Sequence, residues 1–417
     1  MVVLTTVVIV ACISYTTALF IRSRRRRPAA LPSPPDLFFV FMIPCLNEEL
    51  VIGASLERLL GLPGFRGAVL VIDDGSDDTT SDIVLGFSSS RVWLLHRSPP
   101  DARLGKGAAL NAGLRHLQEG ELLAGHRSED VVVAVLDADG RLADNAMFEI
   151  APYFADPTVA AVQVGVRMYN RHTGVLARLQ DFEFVTFTEI FQRARQRLGS
   201  VGLGGNGQFV RLAALRSLGG EPWTDCLTED LDLGIRLLAE GWTNAFCPTT
   251  HVDQQAVTSM RRLIRQRSRW FQGHLQCWKR IPLVLRAPLS TKSSSDLLYH
   301  LTSPALVLAM TFPVIGTLVA LTAATVQAPG SVPSAMMAGG GKLFALWYLM
   351  SFGVSPFYAF VYWSRAREVS LLRALGLAHL FTLYSYLWLP AGWWAVWRMV
   401  RGRSSWAKTA RTAELPG

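Results

Sequence analysis

The sequence predicts an α/β fold, a mostly parallel sheet with flanking helices, joined to α-helical transmembrane segments. Three observations carry this expectation. Between residues 36 and 286, short apolar runs alternate with helical patterns, the order that builds a parallel sheet from strand, helix and strand in turn. The same stretch holds nearly all the acidic side chains, whereas uncharged apolar runs long enough to cross a bilayer gather at the two ends. Half of the 417 residues are hydrophobic, which argues against a simple soluble enzyme.

In chain order, residues 1–21 are free of charge and are followed by Arg22, Arg24, Arg25, Arg26 and Arg27. Basic residues stay on the cytoplasmic side, so this run reads as an N-terminal transmembrane helix whose N-terminus lies outside. A cleaved signal peptide carries its basic residues before the apolar run, and here they follow it. A basic, Pro-rich linker at 22–36 leads into a cytoplasmic domain at 37–257. Its expected strands lie at 38–43, 68–72, 92–95, 131–136 and 159–164, and its expected helices at 48–60, 106–117 and 143–154. Interfacial amphipathic helices follow at 258–297, then about three transmembrane or re-entrant helices at 298–400, with apolar runs at 301–326, 343–363 and 375–397. The uncharged, Gly- and Pro-rich stretch 327–341 suits an external loop, and Arg365, Arg367 and Arg373 suit a cytoplasmic turn. The last run conflicts with that topology. The basic tail 401–417, together with Arg398, prefers the cytoplasm, so this run reads as re-entrant or interfacial around Pro390 and Gly392. The expected location is the plasma membrane, multi-pass, with the soluble domain in the cytoplasm.

The net charge of +9 flanks apolar runs or falls within residues 261–269, which points to anionic membrane lipids as partners and not to nucleic acid. Cys12, Cys45, Cys226, Cys247 and Cys277 form no CxxC pair, which excludes a disulfide framework or zinc knuckle and fits a reducing compartment.

Four short motifs could carry chemistry. Asp73-Asp74-Gly75-Ser76 ends the second expected strand, where carboxylates can accept hydrogen bonds from a nucleotide or simply make a turn. Asp137-Ala138-Asp139 ends the fourth. Two anions so close repel unless a cation or a raised pKa intervenes, and a hard Mg²⁺ or Mn²⁺ shared with a diphosphate would resolve this, with a plain turn as the bland alternative. Thr228-Glu229-Asp230 opens a helix, with Thr228 as a side-chain N-cap and Asp230 available as a general base. Gln266, Arg269 and Trp270 share one helical face and could hold a diphosphate and stack a sugar, while Arg261, Arg262, Arg265 and Arg267 could face lipid phosphates. The GxGxxG at Gly202, Gly204 and Gly207 follows no strand, so a dinucleotide fingerprint is not expected.

In this order, and followed by apolar runs, the motifs resemble the family 2 glycosyltransferases of GT-A fold, such as cellulose, chitin, poly-N-acetylglucosamine and hyaluronan synthases and bacterial glucosyl-diacylglycerol synthases. Residues 43–49 and 105–111 also resemble the family's opening loop and donor-side loop, and the likeness covers roughly residues 38–278. The resemblance implies an inverting enzyme that moves glucose or N-acetylglucosamine from a UDP-sugar to a polysaccharide or lipid acceptor. It implies nucleotide-sugar contacts by Asp73, Asp74, Lys106, Asp137, Asp139, Gln266, Arg269 and Trp270, and Mg²⁺ or Mn²⁺ held by Asp139 and Asp137. It further implies Asp230 as base and Gly205, Asn206, Gly207, Glu229 and Trp270 at the acceptor. Gly204-Gly205-Asn206-Gly207 replaces the Phe-Phe-Cys-Gly of cellulose synthases, and only about three apolar runs follow. A wide polysaccharide channel is therefore less firmly implied than transfer itself. Single-sugar glycolipid synthesis and a catalytically silent membrane scaffold are the alternatives, and the intact carboxylates argue against the second.

Overall fold

The computed structural model of the chain describes residues 2–24 and 33–402. Most of the Pro-rich linker and nearly all of the basic tail, including Arg403, Lys408 and Arg411, lie outside the described residues.

Eight strands form one sheet: β1 (Phe38–Cys45), β2 (Gly67–Asp73), β3 (Val92–His96), β4 (Val131–Val135), β5 (Arg141–Leu142), β6 (Val159–Met168), β7 (Gln208–Arg211) and β8 (Thr243–Gln254). Their spatial order is β3-β2-β1-β4-β7-β6-β8-β5. The half from β3 to β4 is parallel, because helices Ile52–Leu60, Thr80–Leu85 and Lys106–Glu119 carry the chain back between strands. The expectation of a mostly parallel sheet needs correction to a mixed one. β7 runs antiparallel between β4 and β6, and β5 antiparallel to β8, while β6 and β8 are parallel. β7 escapes a hydrophobic-run search because only Phe209 and Val210 are apolar, and β8 escapes it because Thr249, Thr250, His251 and Asp253 interrupt its apolar residues.

Side chains of the central strands alternate between two cores. Phe39, Phe41, Ile43, Val69 and Val71 pack on one side, and Val40, Met42, Leu70 and Ile72 on the other with Leu110, Leu114 and Trp223. Burial on both faces explains why these strands read as continuous apolar runs. The helix expected at 143–154 is shorter, Ala146–Ile150, and tightens to a 3₁₀ turn over Ala151–Ala155, where Pro152 supplies no N–H.

Outside the sheet, helix Thr291–Gln327 is long and apolar enough to cross a membrane, and Ser331–Phe352 with Ser355–Ala366 passes the same test as a pair bent by 43°. The N-terminal helix covers Val2–Ser23, 22 residues that are uncharged up to Arg22. The expected loop at 327–341 is partly helical and breaks at Gly339, Gly340 and Gly341, whose φ values of +63°, +74° and +77° are costly for any other residue. The run expected at 375–397 divides into Leu371–Ser385 and Trp388–Val400. At 1.5 Å per residue neither half exceeds about 23 Å, short of a bilayer core. The second half packs along helix Met260–Gln276, with Ala391, Gly392 and Ala395 buried in the contact. A Cβ on Gly392 would stand 2.9 Å from the Phe271 ring, so glycine permits this close approach.

Candidate active site

The ends of β1, β2 and β4 carry the loops that open onto a cavity of about 540 Å³. Ligands bind at this edge of an open α/β sheet because strand ends and helix N-termini leave backbone groups and loop side chains facing one crevice. One end of the cavity is polar, lined by Asp74, Lys106, Asp137, Glu229 and Asp230. The other end is lined by Phe184, Phe271, Pro304, Val307 and Trp388, and so reaches the long apolar helix.

Of the first acidic pair, Asp74 borders the cavity and Asp73 does not. The Asp73 carboxylate accepts from Ser76 N at 2.9 Å, from Ser81 Oγ and from His96 Nδ1 at 2.9 Å. Burial opposes its ionisation, but these bonds outweigh burial and hold its pKa below the ordinary value. Asp74 pairs with Arg97, yet burial dominates and raises its pKa.

Lys106, the first residue of helix Lys106–Glu119, reaches across the cavity. Its Nζ donates to Asp137 Oδ1 and to Gly205 O, both at 2.7 Å, and stands 3.9 Å from Glu229 Oε1. Burial works against the ammonium, but Asp137, Glu229 and Asp230 prevail and raise its pKa. The next residue, Gly107, passes so close to Thr224 O that a Cβ would sit 2.3 Å from it.

Asp139 is buried, and its Oδ2 accepts from Gln255 N at 2.9 Å. Asn206 braces the β4 loop by accepting from Asp137 N at 3.1 Å and donating to Gln254 Oε1 at 3.0 Å. Gly205 and Asn206 line the cavity. Gly207 instead makes the turn into β7 with φ +71°, where a Cβ would meet Val164 at 2.7 Å. The GxGxxG segment thus enters a strand and opens no helix, in line with its dismissal as a nucleotide fingerprint.

Glu229 and Asp230 begin helix Glu229–Ala239, whose Leu231, Ile235 and Leu238 are buried as their spacing predicts. Thr228 occupies the N-cap position, but its side chain makes no capping bond, contrary to expectation. Its Oγ1 lies instead beside Cys226 and Cys277 Sγ, at 3.6 and 3.7 Å. Burial, then the charge of Asp230, raises the Glu229 pKa to about 7 against the pull of Lys106. Burial also raises that of Asp230.

Gln266, Arg269 and Trp270 all border the cavity, as their common helical face predicts. The expectation that Arg267 faces lipid is overturned. Leu263, Arg267, Phe271 and His274 follow the helical repeat and form the inward face, leaving Arg261, Arg262 and Arg265 exposed. Arg267 is 3% exposed, pairs with Glu183 and donates to Tyr384 Oη at 3.2 Å. Its guanidinium lies 4.3 Å from the Trp270 ring centroid. Glu183 and Trp388 belong to no short motif, and Arg267 reads in the sequence as one more basic residue of its helix, so their place in the cavity wall is not visible there.

A family model described as "Glycosyltransferase like family 2" matches residues 34–273, more than half of the chain. The chain belongs to this glycosyltransferase family. Among curated relatives, the β-monoglucosyldiacylglycerol synthase of Synechocystis sp. is 34% identical over 265 residues, 61% of this chain and 52% of that protein. The poly-β-1,6-N-acetyl-D-glucosamine synthase of Staphylococcus epidermidis is 25% identical over 236 residues, 56% of this chain and 53% of that protein. The chain spans about half the length of the curated relatives it matches. Among solved structures, mannosyltransferase PcManGT from Pyrobaculum calidifontis, in complex with GDP-Man and Mn²⁺, superposes with a TM-score of 0.58 at 20% identity. That match covers 91% of this chain and 99% of the other, and it establishes a shared fold.

Proposed function

We propose that this family 2 enzyme is membrane-associated and transfers one sugar, glucose or N-acetylglucosamine, from a UDP-sugar to a lipid acceptor by single displacement with inversion. The observation that carries this reading is the continuity of the cavity from Lys106, Asp137 and Asp230 to the apolar wall at Pro304, Val307 and Trp388. A sugar nucleotide suits the charged end, and an acyl chain from the bilayer suits the other. The likeness to β-monoglucosyldiacylglycerol synthases supports the same acceptor class.

In this reading Asp74 contacts the base, Lys106 and Arg269 hold the diphosphate, and Trp270 stacks on the sugar. Asp230 takes the proton of the acceptor hydroxyl as that oxygen attacks the anomeric carbon. Its raised pKa brings it nearer the working pH of a general base. Lys106 and Arg269 balance the negative charge that grows on the departing diphosphate, which favours the transition state over the bound donor.

Asp137 and Asp139 are the residues that would hold a divalent cation. Among the described residues no group of three or more His, Cys, Asp or Glu side chains could hold a metal. A donor set of two carboxylates fits Mg²⁺ or Mn²⁺, whose remaining ligands come from phosphate and water. Mn²⁺ accompanies GDP-Man in the mannosyltransferase of the same fold. When bound, the cation supplies further charge neutralisation at the diphosphate.

Chain extension of a β-linked polysaccharide is the second reading, favoured by the likeness to poly-β-1,6-N-acetyl-D-glucosamine synthases. Proteoliposomes supplied with labelled UDP-glucose or UDP-N-acetylglucosamine distinguish the two by product. Solvent-extractable label attached to lipid is the expected result. Label confined to insoluble polymer would support the second reading, and no transfer from either donor would contradict both.

A further inference from the structure

Helix Thr291–Gln327 carries Pro304 inside it. In a regular helix the N–H of residue 304 would donate to the carbonyl of His300, and proline has none to give. The stranded carbonyl finds two other donors, His274 Nε2 at 3.0 Å and Ser303 Oγ at 2.8 Å. Trp278 Nε1 closes the next carbonyl, Leu301 O, at 2.6 Å. One proline thus ties helix Met260–Gln276, which bears Arg269 and Trp270, to the apolar helix.

The tie also brings two imidazoles together. The rings of His274 and His300 meet edge to face with centroids 4.6 Å apart, and His274, His300 and Ser303 all border the cavity at its apolar end. Because His274 Nε2 faces a carbonyl it is the protonated nitrogen, which leaves Nδ1 with a lone pair in the neutral ring. Burial pushes the His274 pKa down to about 4, so the ring is uncharged at neutral pH. Arg195, the cation whose charge reaches His274, is paired with Asp296 at 3.0 Å, and Arg267 on the same helix face as His274 is paired with Glu183. This end of the cavity therefore offers hydrogen bonds without net charge.

We propose that His274, His300 and Ser303 form an uncharged polar subsite that receives the hydroxyl and ester groups of a neutral glycerolipid acceptor. The inference rests on the lipid-acceptor reading and deepens it. A lipid hydroxyl can donate to His274 Nδ1 or to the Ser303 Oγ lone pairs, and the His300 imidazole N–H can donate to an ester carbonyl. A lipid phosphate would instead call for unpaired Arg or Lys side chains at the same place.

The test uses the full chain in phosphatidylcholine vesicles, with dioleoylglycerol or a polyprenyl phosphate as acceptor and with the UDP-sugar that wild type turns over. His300→Ala should raise the KM for dioleoylglycerol about tenfold, the effect of one or two lost hydrogen bonds. Donor KM should stay as in wild type, and His300→Asn should recover part of the loss. His274→Gln retains an N–H for the His300 carbonyl but moves the acceptor from the Nδ1 position to an amide oxygen on the other branch of the side chain, so it should raise acceptor KM at an unchanged melting temperature. If wild type glycosylates dioleoylglycerol and acceptor KM is unaltered in His300→Ala and His274→Gln, the histidines only close the carbonyl freed by Pro304. The subsite is then overturned while the lipid reading stands. If wild type glycosylates only the polyprenyl phosphate, or neither lipid, the neutral-acceptor subsite and the glycerolipid reading fall together.

Discussion

Glu229 and Asp230 are adjacent acids at the start of one helix, where the helix dipole favours negative charge, yet burial raises the pKa of both. As pH falls through about 7, Glu229 takes up a proton, and burial holds the Asp230 pKa above the ordinary carboxylate value. Transfer should therefore lose rate on the acid side from about pH 7, well above the range of an exposed carboxylate. Glu229→Gln, which holds this position neutral at every pH, should flatten that limb near pH 7 in a pH–rate profile and leave the lower rate on its alkaline side. Asp230→Asn should cut kcat about a hundredfold or more at every pH while donor affinity, read by calorimetric titration, persists. Loss of donor binding in Asp230→Asn would move this residue to the donor site. Such residues were legible because Thr228-Glu229-Asp230 and Gln266 to Trp270 are contiguous in sequence. The ion pair of Arg267 with Glu183 was not, since its partners lie 84 residues apart. Removing Arg267 as Arg267→Met leaves a largely buried carboxylate without its cation, and the expected cost is about 3 kcal/mol, read as a lower melting temperature. An unchanged melting temperature would contradict the pair.

At the scale of elements, apolar runs revealed β1, β2, β4 and β6, which are buried on both faces, and the edge strand β3, whose run 92–95 is apolar although Trp93 is exposed. β7 and β8 stayed hidden because their polar residues serve the site or the sheet ends, as Arg211 does by donating to Val159 O and Phe154 O. Helix Met260–Gln276 has two faces with different duties, and the charge count alone could not tell Arg267 from Arg265. Replacing exposed Arg261 and Arg262 by alanine should reduce activity in a way that depends on anionic lipid and is lost at high salt, since such attraction is screened over about 8 Å at physiological ionic strength. Arg269→Lys should lose activity whatever the lipid, because lysine keeps the charge but not the planar fork that grips a diphosphate. Activity of both variants measured in vesicles of graded anionic content separates the two faces. Equal lipid-dependent losses would reduce the helix to a membrane anchor.

Across the whole molecule, the family match over residues 34–273 leaves helix Thr291–Gln327 and its neighbours unaccounted for, yet these close the apolar end of the cavity. Sequence hydropathy located the apolar runs but not the break between Leu371–Ser385 and Trp388–Val400, because the contact that holds the second helix flat against Phe271 is formed by distant residues. The proposed function joins a nucleotide-sugar site on the sheet to an acceptor route from the membrane. It is tested most directly by the structure of the product made by wild type in vesicles containing dioleoylglycerol and the UDP-sugar it turns over, determined by mass spectrometry and proton NMR. The predicted product carries a single sugar per lipid, joined through the glycerol hydroxyl with the anomeric configuration inverted, and it disappears when chelator removes divalent metal. A ladder of sugars, a retained configuration, or full product in chelator would contradict the account.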